Sequence, residues 1–174
     1  MTELIKSLVD AIETDLGWCL VADLAALHGQ DQAPWDGAWR STATIPGAAI
    51  GRNGLVLETV RRTPAYIRFE LWTGEPPLPE PVWEDAWTGE IYLRSGRITL
   101  QDYYEEGYEQ QVFDLGQPDS VWAARVQHKR LDNDREPDFP RDMYQVDIYR
   151  LQFWRHFRLT GDAGSVRPAP RTRS

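Results

Sequence analysis

Cysteine is almost absent from this chain: Cys19 stands alone among 174 residues, and only three histidines accompany it. A lone thiol cannot close an intramolecular bridge, so a disulfide-stapled scaffold is excluded, and so few soft ligands leave little material for structural zinc. With 41% hydrophobic residues the chain can bury a core without such staples. The expectation is one domain in a reducing, cytoplasmic setting. Long apolar runs are absent too. Acidic residues interrupt every candidate stretch, so no window reaches the roughly 20 residues of a membrane-spanning helix. The opening MTELIKSLVDAIETD lacks a basic leader and a small-residue cleavage site. No membrane partner is expected.

Positive charge is scarce over most of the length. Residues 150–174 hold six basic side chains and one acid, which leaves 13 basic against 26 acidic in residues 1–149, a net charge of −13 there. Within that body, residues 75–119 carry eleven carboxylates against Arg94 and Arg97. Such a surface repels phosphate backbones, because nucleic-acid affinity rests on Lys and Arg releasing counterions. It keeps a protein in solution, and it also suits a basic protein partner steered by the field.

Signatures of the common enzyme classes are missing. There is no P-loop, dinucleotide fingerprint, HExxH, CxxC or G-x-S-x-G. His28, His128 and His156 are far apart in sequence, and His128, on an otherwise apolar strand face, reads as a hydrogen-bonded structural residue. Cys19 beside Trp18 reads as a small buried hydrophobe. The acids of Asp132-Asn-Asp-Arg-Glu-Pro-Asp138 fail the EF-hand pattern, because Pro137 takes the place of the turn glycine and Met143 that of the distal Glu. Neither metal nor cofactor is expected.

What is present is mostly period-two alternation. Leu4, Ile5, Leu8, Val9 and Ile12 are the exception: their spacing predicts a short amphipathic helix over residues 3–14. After it, Trp18, Leu20 and Ala22 read as a strand, although LVADLAAL also suits a helix. Residues 28–54 read as an irregular connection holding one short strand. Leu55 to Val60 and Tyr66 to Trp72 alternate cleanly. Four prolines in residues 75–81 predict a rigid extended link that crosses from one sheet to another. Trp83, Trp87, Ile91 and Leu93 share one parity, and Ser95-Gly96 reads as the turn of a hairpin that returns through Arg97 to Leu100. Ile67, Phe69, Leu71, Trp83, Trp87 and Ile91 are expected to be buried together. Trp122 to Lys129 is another strand, and Tyr144 to Trp154 the last. In that last one apolar residues occupy both parities, which means either a bulge near Tyr149 or burial of both faces. Residues 160–174 have no apolar face and read as a flexible basic tail. The fold class is all-β: an antiparallel β-sandwich over residues 1–159 with a short N-terminal helix, a β-barrel being the alternative.

Two stretches carry a family resemblance: Leu71-Trp-Thr-Gly-Glu-Pro-Pro through Trp83-Glu-Asp-Ala-Trp to Ser95-Gly-Arg-Ile-Thr-Leu100, and Asp147-Ile-Tyr-Arg-Leu-Gln-Phe-Trp154. They resemble a family of small actinobacterial β proteins. More distantly, the first stretch is similar to the ComJ-type competence proteins, which inhibit a nuclease. The resemblance implies a fold and no catalytic residue, and the chain departs from it after Trp154.

Charge and resemblance together point to a non-enzymatic protein-binding module, an inhibitor or immunity-type partner of a basic protein such as a nuclease. Its candidate contacts are Glu75, Glu80, Glu84, Glu90, Glu105, Glu106 and Glu109, with Tyr103, Tyr104 and Tyr108 as anchors. A structural or assembly subunit, using the helix and tail, is the alternative. An enzyme using carboxylates and a histidine ranks third.

Overall fold

The computed structural model describes residues 1–33, 43–45, 47–78, 83, 85–102, 111–131 and 146–155. Two sheets face each other. One has five strands: β1 (Leu4–Glu13), β6 (Pro64–Trp72), β11 (Val146–Trp154), β10 (Ser120–Leu131) and β7 (Asp85–Leu93), in that spatial order. The other has six: β3 (Ala43–Ile45), β4 (Ala48–Gly51), β5 (Gly54–Glu58), β2 (Trp18–Asp23), β8 (Arg97–Asp102) and β9 (Phe113–Asp114). The only helix among the described residues is α1 (Leu24–Leu27), far too short to cross a membrane. The sandwich is thus as expected, except that β6 and β11 run parallel, which makes the five-stranded sheet mixed.

Between the sheets lies the main core. From the five-stranded sheet it takes Ile67, Phe69 and Leu71 of β6, Trp122, Ala124 and Val126 of β10, and Tyr149, Leu151 and Phe153 of β11; Cys19, Leu55, Leu57, Ile98 and Leu100 meet them from the other side. Alternation along each strand places these residues on one face, and burying each large side chain contributes about 1.5–3 kcal/mol. On β11 both parities are buried with no register break against β10, so burial of both faces, and not a bulge, explains its pattern.

Three expectations are corrected. Residues 4–13 form a strand, not a helix. The spacing i, i+4, i+8 of Leu4, Leu8 and Ile12 fits both periods, and pairing with β6 from Leu8↔Phe69 to Ile12↔Ala65 decides between them. Ser95-Gly96 does not close a hairpin: β7 and β8 belong to different sheets, so the turn carries the chain across the sandwich. The fully buried Asp23 holds it there, its carboxylate accepting from the backbone N–H groups of Ser95, Gly96 and Ala25. Gly96 is required, since its φ is +68° and a Cβ would lie 2.3 Å from the Gln117 carbonyl oxygen. The proline link, finally, does not change sheets. It joins β6 to β7 within one sheet, and its described residues Glu75, Pro76 and Pro77 lie against Arg125 of β10, one of the two strands between them.

Of the six residues expected to cluster, Ile67, Phe69, Leu71 and Ile91 share the main core, and Trp87 packs half-buried on its margin. Its ring lies against Gly89, where a Cβ would come within 2.2 Å of it. Trp83 is buried elsewhere, with Val146 and Ile148 on the opposite face of the sheet. The irregular connection before β5 holds two short strands, β3 and β4. The Asp132–Asp138 run and the basic tail lie outside the described residues.

Candidate functional site

The middle of the outer face of the five-stranded sheet is buried and yet polar, an arrangement that costs desolvation unless the groups are paired. Register against the inward residues puts Arg68 and Glu70 of β6, Arg150 and Gln152 of β11, Arg125, Gln127 and Lys129 of β10, and Thr88 and Glu90 of β7 on this face. Glu70, Arg125, Gln127, Lys129 and Gln152 are all buried.

Two residues organise it. Glu70 accepts from Arg68 Nε at 2.6 Å, Trp72 Nε1 at 2.8 Å and Gln152 Nε2 at 2.8 Å, with Arg150 Nε at 3.9 Å. Arg125 is the second. Its Nη1 donates to the carbonyls of Pro77 at 2.8 Å and Pro76 at 3.3 Å, its Nη2 to Glu75 Oε1 at 2.9 Å, and its Nε reaches Thr88 Oγ1 at 3.4 Å. The planar guanidinium thereby ties the proline link down on the sheet, which a lysine could not do with so many directed donors. Farther along the link, the Trp83 ring lies over Lys129 Nζ at 4.7 Å and the Arg150 guanidinium at 4.4 Å. Cation–π attraction and the packing of Val9, Tyr66, Val146 and Ile148 fix the indole in that place.

Of the contacts expected from sequence, Glu75 and Glu90 come together on this one face, both exposed. Glu80, Glu84, Tyr103, Tyr104, Glu105, Glu106, Tyr108 and Glu109 lie outside the described residues. The polar residues Arg125, Gln127 and Lys129 carried a signal in the sequence: they alternate with Ala124, Val126 and His128. Such alternation reads as a solvent-facing side, and only the crossing link reveals that it is covered.

At one end of the sandwich His128 Nε2 lies 2.9 Å from Asp147 Oδ1, its ring stacked on Tyr149 at 4.6 Å. Burial would raise the Asp147 carboxyl, but hydrogen bonds from His128 and the Val60 N–H, with the charge of Arg130, hold it below the ordinary range. The Tyr149 hydroxyl shares its one proton between the backbone carbonyl oxygens of Glu58 at 2.6 Å and Gly47 at 3.0 Å, and burial, reinforced by Asp147, pushes its pKa up. Cys19 is buried with its thiol pKa raised by burial, so its thiolate is inaccessible. His128 is hydrogen-bonded at the sandwich end, as the sequence implied.

No protein-family model and no curated protein sequence matches this chain. Solved structures do. The chain is similar to ComJ from Bacillus subtilis, described as an inhibitor of the DNA degrading activity of NucA, with a TM-score of 0.53 and 17% identity over 88% of this chain and 98% of ComJ. It has ComJ's fold. The product of crocagin biosynthetic gene J is also similar, with a TM-score of 0.50 and 16% identity over 87% of this chain and 97% of that one.

Proposed function

We propose that this chain is a non-enzymatic protein-binding module of the inhibitor or immunity type, whose partner is a basic protein such as a nuclease. The observation that carries the reading is the fold shared with ComJ over 98% of its length. The charge of residues 1–149 and the meeting of Glu75 and Glu90 on one face support it. Docking uses Glu75, Glu80, Glu84, Glu90, Glu105, Glu106 and Glu109, with Tyr103, Tyr104 and Tyr108 as anchors, and blocks the partner by occlusion in the cytoplasm. Membership of the small actinobacterial family belongs to the same reading, since its two stretches supply β8, β11 and the link. The assembly-subunit alternative has lost its amphipathic helix to β1.

DNA degradation by NucA and by other basic nucleases, followed with and without the purified protein, tests this. Stoichiometric inhibition of at least one is expected, with association slowing as added salt shortens the Debye length from about 30 Å at 0.01 M to about 8 Å at 0.15 M. Charge reversal of Glu75, Glu84, Glu90 and Glu106 should reduce the association rate with the fold intact. Inhibition by that variant equal to wild type would overturn the docking face.

A further inference from the structure

Toward the edge strand β7, the outer face of the five-stranded sheet carries exposed side chains. Strand alternation puts Glu90 and Tyr92 of β7 and Val121 of β10 there, and Tyr92 and Val121 are direct cross-strand partners. Val121 is 54% exposed, and Leu78 on the proline link is 85% exposed. Pro77, which precedes Leu78, has its carbonyl held by Arg125, and Thr88, the ladder partner of Arg125, stands two residues from Glu90. Single exposed apolar residues are ordinary on a protein surface. These are set apart by being held in place. Arg125, its side chain only 3% exposed, directs its donors to the Pro76 and Pro77 carbonyls, and proline fixes the backbone leading to Leu78. Tyr92 is held twice: the Arg52 guanidinium lies over its ring at 3.9 Å, and its hydroxyl donates to Asp119, which is also paired with Arg94 at 3.3 Å.

We infer that Leu78, Tyr92 and Val121 are apolar anchors of the docking face, and that the basic partner covers them with an apolar patch ringed by Lys and Arg side chains that pair with Glu75 and Glu90. The inference rests on the docking proposed above and deepens it. Charge selects the occupant. Each neighbouring arginine already has a carboxylate, Arg52 that of Asp31, Arg94 that of Asp119 and Arg125 that of Glu75, and Glu90 adds one beyond these pairs. A cationic rim on the partner is therefore favoured over an acidic one. Because the link and the Tyr92 ring are fixed before association, binding forfeits little of their freedom. The two kinds of group then have separate tasks: the carboxylates steer the encounter, and the anchors, once desolvated, hold the complex together.

Dissociation rates from immobilised NucA, and from the other basic nucleases, test it. Tyr92→Ala should speed dissociation about tenfold or more, and Leu78→Ser combined with Val121→Ser by a similar factor, while the association rate and its salt dependence stay those of wild type. Leu16→Ser, at an exposed apolar residue that follows β1 on the opposite edge of the sheet, should change neither rate. If wild type binds and the anchor variants dissociate just as slowly, the anchors are overturned and the docking reading stands. If wild type binds none of these nucleases, the docking reading falls and the anchors fall with it. Should Tyr92→Ala fail to fold, the double variant at the two exposed positions decides alone. The ¹⁵N relaxation of the Leu78 amide needs no partner: its order parameter should lie near the rigid-backbone value of about 0.85 and drop in Arg125→Lys, and a wild-type value below about 0.6 would overturn the held anchor.

Discussion

The two faces of the five-stranded sheet are built from the same strands, and both bury side chains, but the inner face is apolar while the buried middle of the outer face is largely polar. On β6, Ile67, Phe69 and Leu71 enter the main core while Arg68 and Glu70 lie on the other side; on β10 the same division separates Trp122, Ala124 and Val126 from Arg125, Gln127 and Lys129. The inner face repays burial directly through the hydrophobic effect. Charges on the outer face recover only what their partners return, and buried polar networks seldom outperform apolar packing of the same volume. The contrast teaches that the inner face makes the fold by apolar burial, while the outer face must recover its burial through paired charges and hydrogen bonds.

The comparison can be broken or sharpened by substitution. The largest loss is expected on the inner face: Phe69→Ala should cost about 3–5 kcal/mol in chemical denaturation, because Phe69 is fully buried and stacks on Phe113 at 5.5 Å. Glu70→Ala should cost about 3 kcal/mol on the outer face by leaving Arg68 and Arg150 without their shared carboxylate, whereas joint replacement of Arg68 and Glu70 by Met and Leu should recover most of that loss. Trp87→Ala, on the margin of the core, should fall below the Phe69 variant, at about 1–3 kcal/mol.

The His128–Asp147 pair at the sandwich end gives a pH-dependent difference. Asp147 is held below its unfolded value, so its contribution is fully present above about pH 4 and is lost as pH falls through the lower folded value. Wild type should therefore lose stability on acidification through that window faster than Asp147→Asn, which starts lower at neutral pH; parallel acid titrations of the two would remove Asp147 from the account. Glu75→Gln is expected to shift stability by no more than about 0.5 kcal/mol, since the Glu75 side chain is 62% exposed.

Much of the inner face was legible in the sequence. Tyr66 to Trp72 and Trp122 to Lys129 alternate so regularly that strand and buried parity follow from period two alone. The N-terminal strand was not legible, because its apolar spacing serves either period and only the partner β6 chooses. Ser95-Gly96 misled for a related reason: a short turn between two strands is chemically the same whether they pair or part, and the distinction lies in Asp23, seventy residues upstream. The candidate site was half visible. Its acidic rim, Glu75 and Glu90, stands out by charge, but Arg125, Gln127 and Lys129 read as a solvated side until the proline link is seen to cover them. Covering depends on the path of a crossover connection, and no local pattern encodes that.

The claim that the two faces repay burial differently is tested most directly by one measurement, the unfolding free energy of Gln127→Leu. An amide buried without partners costs about 1–3 kcal/mol relative to a satisfied one, so an apolar side chain of similar size should leave the protein as stable as wild type or more so. A loss of more than about 1 kcal/mol would show that Gln127 is a working part of the structure, and the distinction between the two faces would fail.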